Sequence, residues 1–162
     1  MTKEEIFAWL EDVKDPEVPA LSILDLGIVR DVQLPSTPGA PINIKITPTY
    51  SGCPAMDVIA IGIRLALAGH GINNIQIENQ LSPAWTTEWM TETGKEKLKA
   101  YGIAPPHRMA FADLGLFEKE DIACPRCNAT NTELVSQYGP TSCKALYKCL
   151  ECLEPFEYFK CH

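Results

Sequence analysis

Cys124-Pro125-Arg126-Cys127 and Cys149-Leu150-Glu151-Cys152 are two Cys-x-x-Cys knuckles with 21 residues between them, and they decide how the end of the chain folds. That spacing is close to the one zinc ribbons use. Each knuckle presents two sulfurs to one ion, and a hairpin of the intervening chain brings the pairs into a closed, tetrahedral, structural site. Two disulfides are the competing reading. No signal peptide is evident, and thiols in a reducing compartment stay unpaired, so the expectation is one structural zinc per chain on Cys124, Cys127, Cys149 and Cys152. Zinc is favoured over an iron-sulfur cluster, although thiolates accept either.

A module this short cannot bury enough apolar surface to fold unaided. Metal binding, worth on the order of 10 kcal/mol or more, therefore doubles as its folding free energy. Within residues 123–162, the stretches 133–135, 145–147 and 155–159 read as strands. Arg126, Lys144, Lys148 and Lys160 balance Glu133, Glu151, Glu154 and Glu157. A nucleic-acid-binding ribbon would be basic, so this one is expected to dock on protein. Cys143 and Cys161 have no partner at knuckle spacing and read as non-ligands, and His162 follows the second of them.

The formal net charge of -7 falls wholly on residues 1–122, where 17 acidic face 10 basic side chains. Such a surface repels nucleic acid and anionic lipid and favours basic protein patches or metal ions. No apolar run approaches the roughly 20 residues of a membrane helix, and cytoplasmic residence is the default expectation. The fold expected is α+β: a small α/β domain over 1–104 with a mixed three-stranded sheet and flanking helices, a connector over 105–122, and the ribbon over 123–162.

Thr2-x-x-Glu5 is a capping box, and Ile6, Trp9, Leu10 and Val13 recur at helical spacing, predicting a helix over 3–14. Asp15-Pro16-Glu17-Val18-Pro19 forces an extended passage, and Asp25-Leu26-Gly27 turns into a strand over 28–34. The carboxylates of Asp15, Glu17 and Asp25 invite a metal or acid-base role, but aspartates in Pro- and Gly-rich turns more commonly cap backbone amides. Residues 42–47 alternate strictly and complete a hairpin. A helix then runs to Gly69, with Pro54 suited to its first position and Cys53 at its N-cap. Helix amides favour a thiolate there, Gly52 lets the backbone turn sharply, and Asp57 would oppose ionisation. A reactive or metal-contacting thiol and a cysteine that merely packs at a strand-helix corner both fit. Residues 74–81 return as a third strand, making a crossover unit. Short helices are expected over 86–90 and 95–101, Trp85 and Trp89 as core anchors, 103–106 as a stiff break, and 107–121 as a connector without periodicity. His70 suits a helix C-terminus, and His107 is isolated.

The order Asp15-Pro16-Glu17, Asp25-Leu26-Gly27, a two-stranded segment and Thr49-x-Ser51-Gly52-Cys53-Pro54 before an apolar helix resembles the small α/β family of iron-sulfur assembly accessory proteins, over residues 3–85. With Ser82-Pro83-Ala84-Trp85-Thr86, the run from Lys97 to Pro106, and the tail from Cys143 to Cys149 with Glu154-Pro155-Phe156, the whole chain resembles the D components of bacterial aerobic phenylacetate degradation. The resemblance implies an accessory role in making or maintaining the metal centres of a multicomponent phenylacetyl-CoA epoxidase. Its partners would be the di-iron oxygenase or the iron-sulfur reductase. Cys53 would handle iron or sulfur, and Asp15, Glu17, Asp25, Thr49, Ser51 and Gly52 would support it. One cysteine cannot hold a cluster within a monomer, so a transient iron or cluster would need a homodimer or a client's ligands. A purely structural subunit, or a thiol enzyme acting on a CoA ester, are the alternative functions.

Overall fold

In the computed structural model, described over residues 1–106 and 122–160, the chain divides into two compact units, residues 1–94 and 95–162. The connector reading of 107–121, with His107, and the readings of Cys161 and His162 lie outside the described residues.

The first unit opens with α1, Lys3–Leu10. Both halves of the capping box form: the Glu5 amide donates to Thr2 Oγ1 (3.3 Å) and the Thr2 amide to Glu5 Oε2 (2.7 Å). The helix stops short of the expected residue 14 because Val13 is claimed by a tertiary contact, its carbonyl accepting the amide of Ile23 at 2.9 Å. Strands β1 (Val29–Gln33) and β2 (Ile42–Ile46) pair antiparallel, with an irregularity between Val29 and Asp31. Helix α2 (Ala55–Ala68) then crosses to β3 (Ile75–Asn79), which lies parallel to β2 with Ile42 opposite Ile75 and Ile44 opposite Ile77. The result is the expected mixed three-stranded sheet, in the order β1-β2-β3.

Between α1 and β1 the chain is irregular yet buried: Val18, Leu21, Ser22, Ile23, Leu26 and Ile28 are all nearly inaccessible. Irregular backbone can be buried only if its polar groups are paired, and two aspartates supply the partners. Asp15 Oδ1 accepts the amides of Glu17 (2.9 Å) and Val18 (2.8 Å). Asp25 Oδ2 accepts the amide of Ser22 (2.9 Å), while Ser22 Oγ accepts that of Asp25 (3.0 Å).

The turn at Asp25-Leu26-Gly27 is pinned by the segment from Trp85 to Gly94. Trp85, a buried anchor as expected, donates its indole N–H to the Leu26 carbonyl at 2.7 Å. Trp89 forms a short 3-10 turn, Thr87–Trp89, and its half-buried ring carries the Arg30 guanidinium at 3.5 Å. Gly27, at φ +66, could carry no side chain, since a Cβ would lie 2.3 Å from the Trp89 carbonyl oxygen. His70 stacks on Trp9, with ring centroids 4.2 Å apart. That aromatic contact is the partnership found where a dipole interaction was expected.

Helix α3 (Glu92–Tyr101) starts earlier than expected because Thr91 Oγ1 accepts the Gly94 amide at 2.9 Å. It begins in the first unit and continues into the second. The second unit is built on a four-stranded sheet in the order β4-β7-β6-β5: β4 (Ile103–Ala104), β5 (Thr132–Ser136), β6 (Lys144–Cys149) and β7 (Pro155–Phe159). The three ribbon strands stand where the sequence puts them. Ile103 and Ala104, read as part of a break, instead pair parallel with β7. Two residues are too few to show a period, and Pro105-Pro106 ends the strand by withholding donors. No helix among the described residues is long and apolar enough to cross a membrane.

Candidate functional site

The two knuckles are built alike. The Cys124 amide donates to the carbonyl of Ala129 (2.9 Å) and the Cys149 amide to that of Glu154 (3.0 Å), each spanning five residues. In both, the residue after the second cysteine turns left-handed: Asn128 at φ 61 and Leu153 at φ 64. That turn lets backbone amides point back at sulfur, and the Cys127, Cys149 and Cys152 sulfurs all accept such bonds. Arg126 closes the knuckles together through Glu154 at 2.8 Å.

All four Sγ atoms lie within 4.8 Å of one another, with Cys124–Cys152 at 3.8 Å and Cys127–Cys149 at 3.5 Å. A tetrahedral ion with sulfur at about 2.3 Å requires sulfurs about 3.8 Å apart. The four cysteines therefore fit one ion and are too close together to reach separate irons of a cluster. They are free thiols, so the disulfide alternative falls. The sulfurs of Cys127, Cys149 and Cys152 act on one another's ionisation. Amides of Cys152 and Glu151 hold Cys149 down at about 7. For Cys152 the amide of Glu154 pulls the same way, but desolvation and the three neighbouring sulfurs push it up to about 12. Cys124 and Cys149 are buried in a small core with Ala104, Ile122, Ala145, Phe156 and Tyr158. Cys143, also buried, contacts Thr141 Oγ1 at 3.1 Å and stays outside the cluster.

Cys53 occupies a second, different setting in the first unit. The helix N-cap is Pro54, so Cys53 stands one residue before that cap, on a loop that Gly52 turns at φ +77. No atom lies within 4 Å of where a Gly52 side chain would begin, so glycine is required there for its backbone angle and not for space. The thiol is half-buried. Contrary to the expectation of a lowered pKa, it is raised. Burial is the largest cause. The Ala55 amide does donate to the sulfur as the helix argument foresaw, but Glu17 and then Asp15 add their negative charge to the effect of burial, and the Tyr50 hydroxyl opposes them only in part. The charges that act are thus those of the Asp15–Glu17 turn.

Tyr50 is the residue sequence reasoning missed. Its hydroxyl donates to Glu17 Oε1 at 3.2 Å and also bonds Cys53, linking carboxylate and thiol. Burial, the sulfur and Glu17 together raise its own pKa far above that of a free phenol. A tyrosine three residues before a loop cysteine was the only available signal. Asp15, Glu17, Tyr50 and Cys53 thus act on one another. Asp25 belongs to the other turn, where Thr91 donates to its second oxygen at 3.3 Å. Thr49 is half-buried and Ser51 exposed on the Cys53 loop. Among the described residues the knuckle cysteines alone form a group of three or more ligating side chains, so Cys53 offers one ligand and not a closed site.

Two family profiles divide the chain in the same way. Residues 3–78 match the iron-sulfur cluster assembly protein family, and residues 112–160 match the PaaD zinc beta ribbon domain. A protein of Escherichia coli K12 named as the D component of 1,2-phenylacetyl-CoA epoxidase is 46% identical over 157 residues, covering 97% of this chain and 92% of its own. An Fe-S protein maturation auxiliary factor of Porphyromonas gingivalis is 31% identical over 94 residues, covering 56% of this chain and 85% of its own. Among solved structures, the DUF59 domain of unknown function from Bacillus anthracis superposes with a TM-score of 0.54 at 30% identity, over 59% of this chain and 90% of that one. A conserved hypothetical protein from Thermotoga maritima gives 0.50 at 30% identity, over 60% and 94%. An assembly-type α/β domain joined to a four-cysteine ribbon, together with near-complete coverage of the Escherichia coli protein, makes this chain a member of the family of 1,2-phenylacetyl-CoA epoxidase D components.

Proposed function

We propose that this chain assists the assembly or maintenance of an iron centre, iron-sulfur or di-iron, in a multicomponent phenylacetyl-CoA epoxidase, with Cys53 as its contact to iron or sulfur. The observation that carries this reading is the half-buried thiol flanked by Glu17, Asp15 and Tyr50. Its raised pKa keeps the proton on sulfur at neutral pH, which suits neither a free nucleophile nor a resting disulfide. An arriving iron ion reverses that balance: the carboxylates that disfavour a bare thiolate favour a thiolate bound to a cation. Because Cys53 supplies one ligand, the client, oxygenase or reductase, supplies the others. The ribbon, closed on one structural zinc through Cys124, Cys127, Cys149 and Cys152, serves as the docking module. Its balanced charge suits a protein partner, and its free thiols suit the reducing cytoplasm.

Co-expression of the epoxidase components with Cys53→Ser tests this reading. The expected result is oxygenase or reductase deficient in iron and inactive, with the accessory protein folded and zinc-loaded. Full metal loading would remove the role of Cys53 and leave a structural subunit, for which the ribbon cysteines would still be required.

A further inference from the structure

Helix α2 buries Met56, Ile59, Ile63 and Leu67 in the first unit and carries a second apolar stripe on its outer face. Val58, Ile61 and Leu65 are 54%, 58% and 69% exposed, three large aliphatic side chains at helix-repeat spacing. Their three- then four-residue interval makes a seam along the helix axis, the pattern that packs against another helix running nearly parallel or antiparallel to it. Isolated exposed aliphatics need no explanation, but an aligned run of them marks a contact surface.

The charges beside the seam identify what covers it. Asp57 and Arg64 are both exposed and stand on either side of Ile61, four residues before it and three after. Val58 and Leu65 are likewise three before and four after. If two copies of α2 lie antiparallel and cross at Ile61, Ile61 meets Ile61, Val58 meets Leu65, and Asp57 of each copy meets Arg64 of the other. The surface is thus complementary to itself in both apolar and charged character, the signature of an isologous two-fold contact. Arg64 donates one Nη1–H to the Ile75 carbonyl at 3.0 Å, which anchors the guanidinium and leaves the rest of its fork for a carboxylate. We propose that this face of α2 is a homodimer interface, antiparallel and centred on Ile61.

One helix from each copy gives less than the roughly 800 Å² per partner of a stable interface, so the dimer forms and dissociates with concentration. Cys53 lies eight residues from the crossing point, about 12 Å along the helix. The two thiols then stand at opposite ends of the contact, roughly 24 Å apart. They cannot share one iron, and both remain open to clients. The proposal is therefore independent of what Cys53 does.

Sedimentation velocity of the full zinc-loaded chain, from about 1 μM to about 1 mM, around the weak range such a small interface implies, should show a reversible monomer-dimer equilibrium. Ile61→Glu places two carboxylates at the centre and should weaken it by at least roughly tenfold. Asp57→Arg and Arg64→Asp should each weaken it alone, and mixing these two variants should restore a heterodimer. Circular dichroism melting checks that every variant is folded. A chain that stays monomeric throughout, or a dimer indifferent to Ile61→Glu, overturns the interface. A dimer lost with Ile61→Glu but indifferent to the charge exchanges and their mixing overturns the antiparallel arrangement.

Discussion

Burial holds the proton on Cys53, the carboxylates of Glu17 and Asp15 add to it, and the Ala55 amide and Tyr50 hydroxyl oppose without prevailing. Alkylation by iodoacetamide, followed at this residue by peptide mass spectrometry, should therefore rise with a midpoint above the ordinary 9.0 of a thiol. Glu17→Gln should move the midpoint down and Tyr50→Phe should move it up; an unmoved midpoint in both would mean that burial alone sets it. The sign carries over to stability. A pKa raised on folding contributes stability that is complete below the unfolded value and is lost as pH climbs through the folded one, so Cys53→Ala should flatten the stability profile above pH 9. The neighbouring Asp15 has a different task. Asp15→Ala orphans the amides of Glu17 and Val18 in a buried turn and should cost about 1–3 kcal/mol in urea unfolding. A loss under a few tenths would mean those amides find other partners. From sequence the capping role was legible, because Asp before Pro in a tight passage has few better uses. The raised pKa of Cys53 was not, since burial, its largest cause, comes from the fold and the charges that add to it lie more than thirty residues away in the chain.

The knuckles show what local spacing can and cannot specify about an element. Cys-x-x-Cys fixes which sulfurs meet, because two residues between ligands allow both to face one ion. It does not reveal that the chain must turn left-handed immediately afterwards. At the first knuckle Asn128, a residue that tolerates that region, makes the turn; at the second, Leu153 makes it at φ 64 with its side chain 65% exposed. An aliphatic side chain there is strained by about 1–2 kcal/mol, and its exposed side chain recovers little by packing. Leu153→Gly should accordingly raise the melting temperature of the zinc-loaded ribbon or slow its loss of metal to a chelator. Unchanged values would show that Leu153 contributes a contact equal to the strain. The same limit explains the short β4, which pairs with β7 across more than fifty residues of chain and has no local period to betray it. By contrast, β2, α2 and β3 were readable almost residue for residue. A half-buried strand and an amphipathic helix write their burial into period two and period 3.6.

At the scale of the molecule, the two units are stabilised by unlike means. The first buries a continuous set of aliphatic side chains from α1, the turn segment, the sheet and α2. Among the described residues the second has a small buried cluster of seven, and two of these, Cys124 and Cys149, belong to the four cysteines placed to hold a metal ion. Loss of a zinc ion held there should withdraw on the order of 10 kcal/mol and leave two buried thiols, Cys124 and Cys149, crowded against the exposed Cys127 and Cys152. A strong chelator at neutral pH should therefore release one zinc per chain and unfold residues 122–160, seen as loss of hydrogen-exchange protection in β5, β6 and β7. All three tryptophans, Trp9, Trp85 and Trp89, lie in the first unit, so tryptophan fluorescence reports that unit alone. Its thermal transition should survive chelation with little shift, whereas the ellipticity of Tyr147 and Tyr158, packed edge to face at 5.7 Å, should be lost. Disappearance of the tryptophan transition along with the metal would mean that the α/β unit depends on the ribbon for its own stability. Retention of both signals in metal-free protein would mean that the sheet, and not the ion, holds the knuckles together.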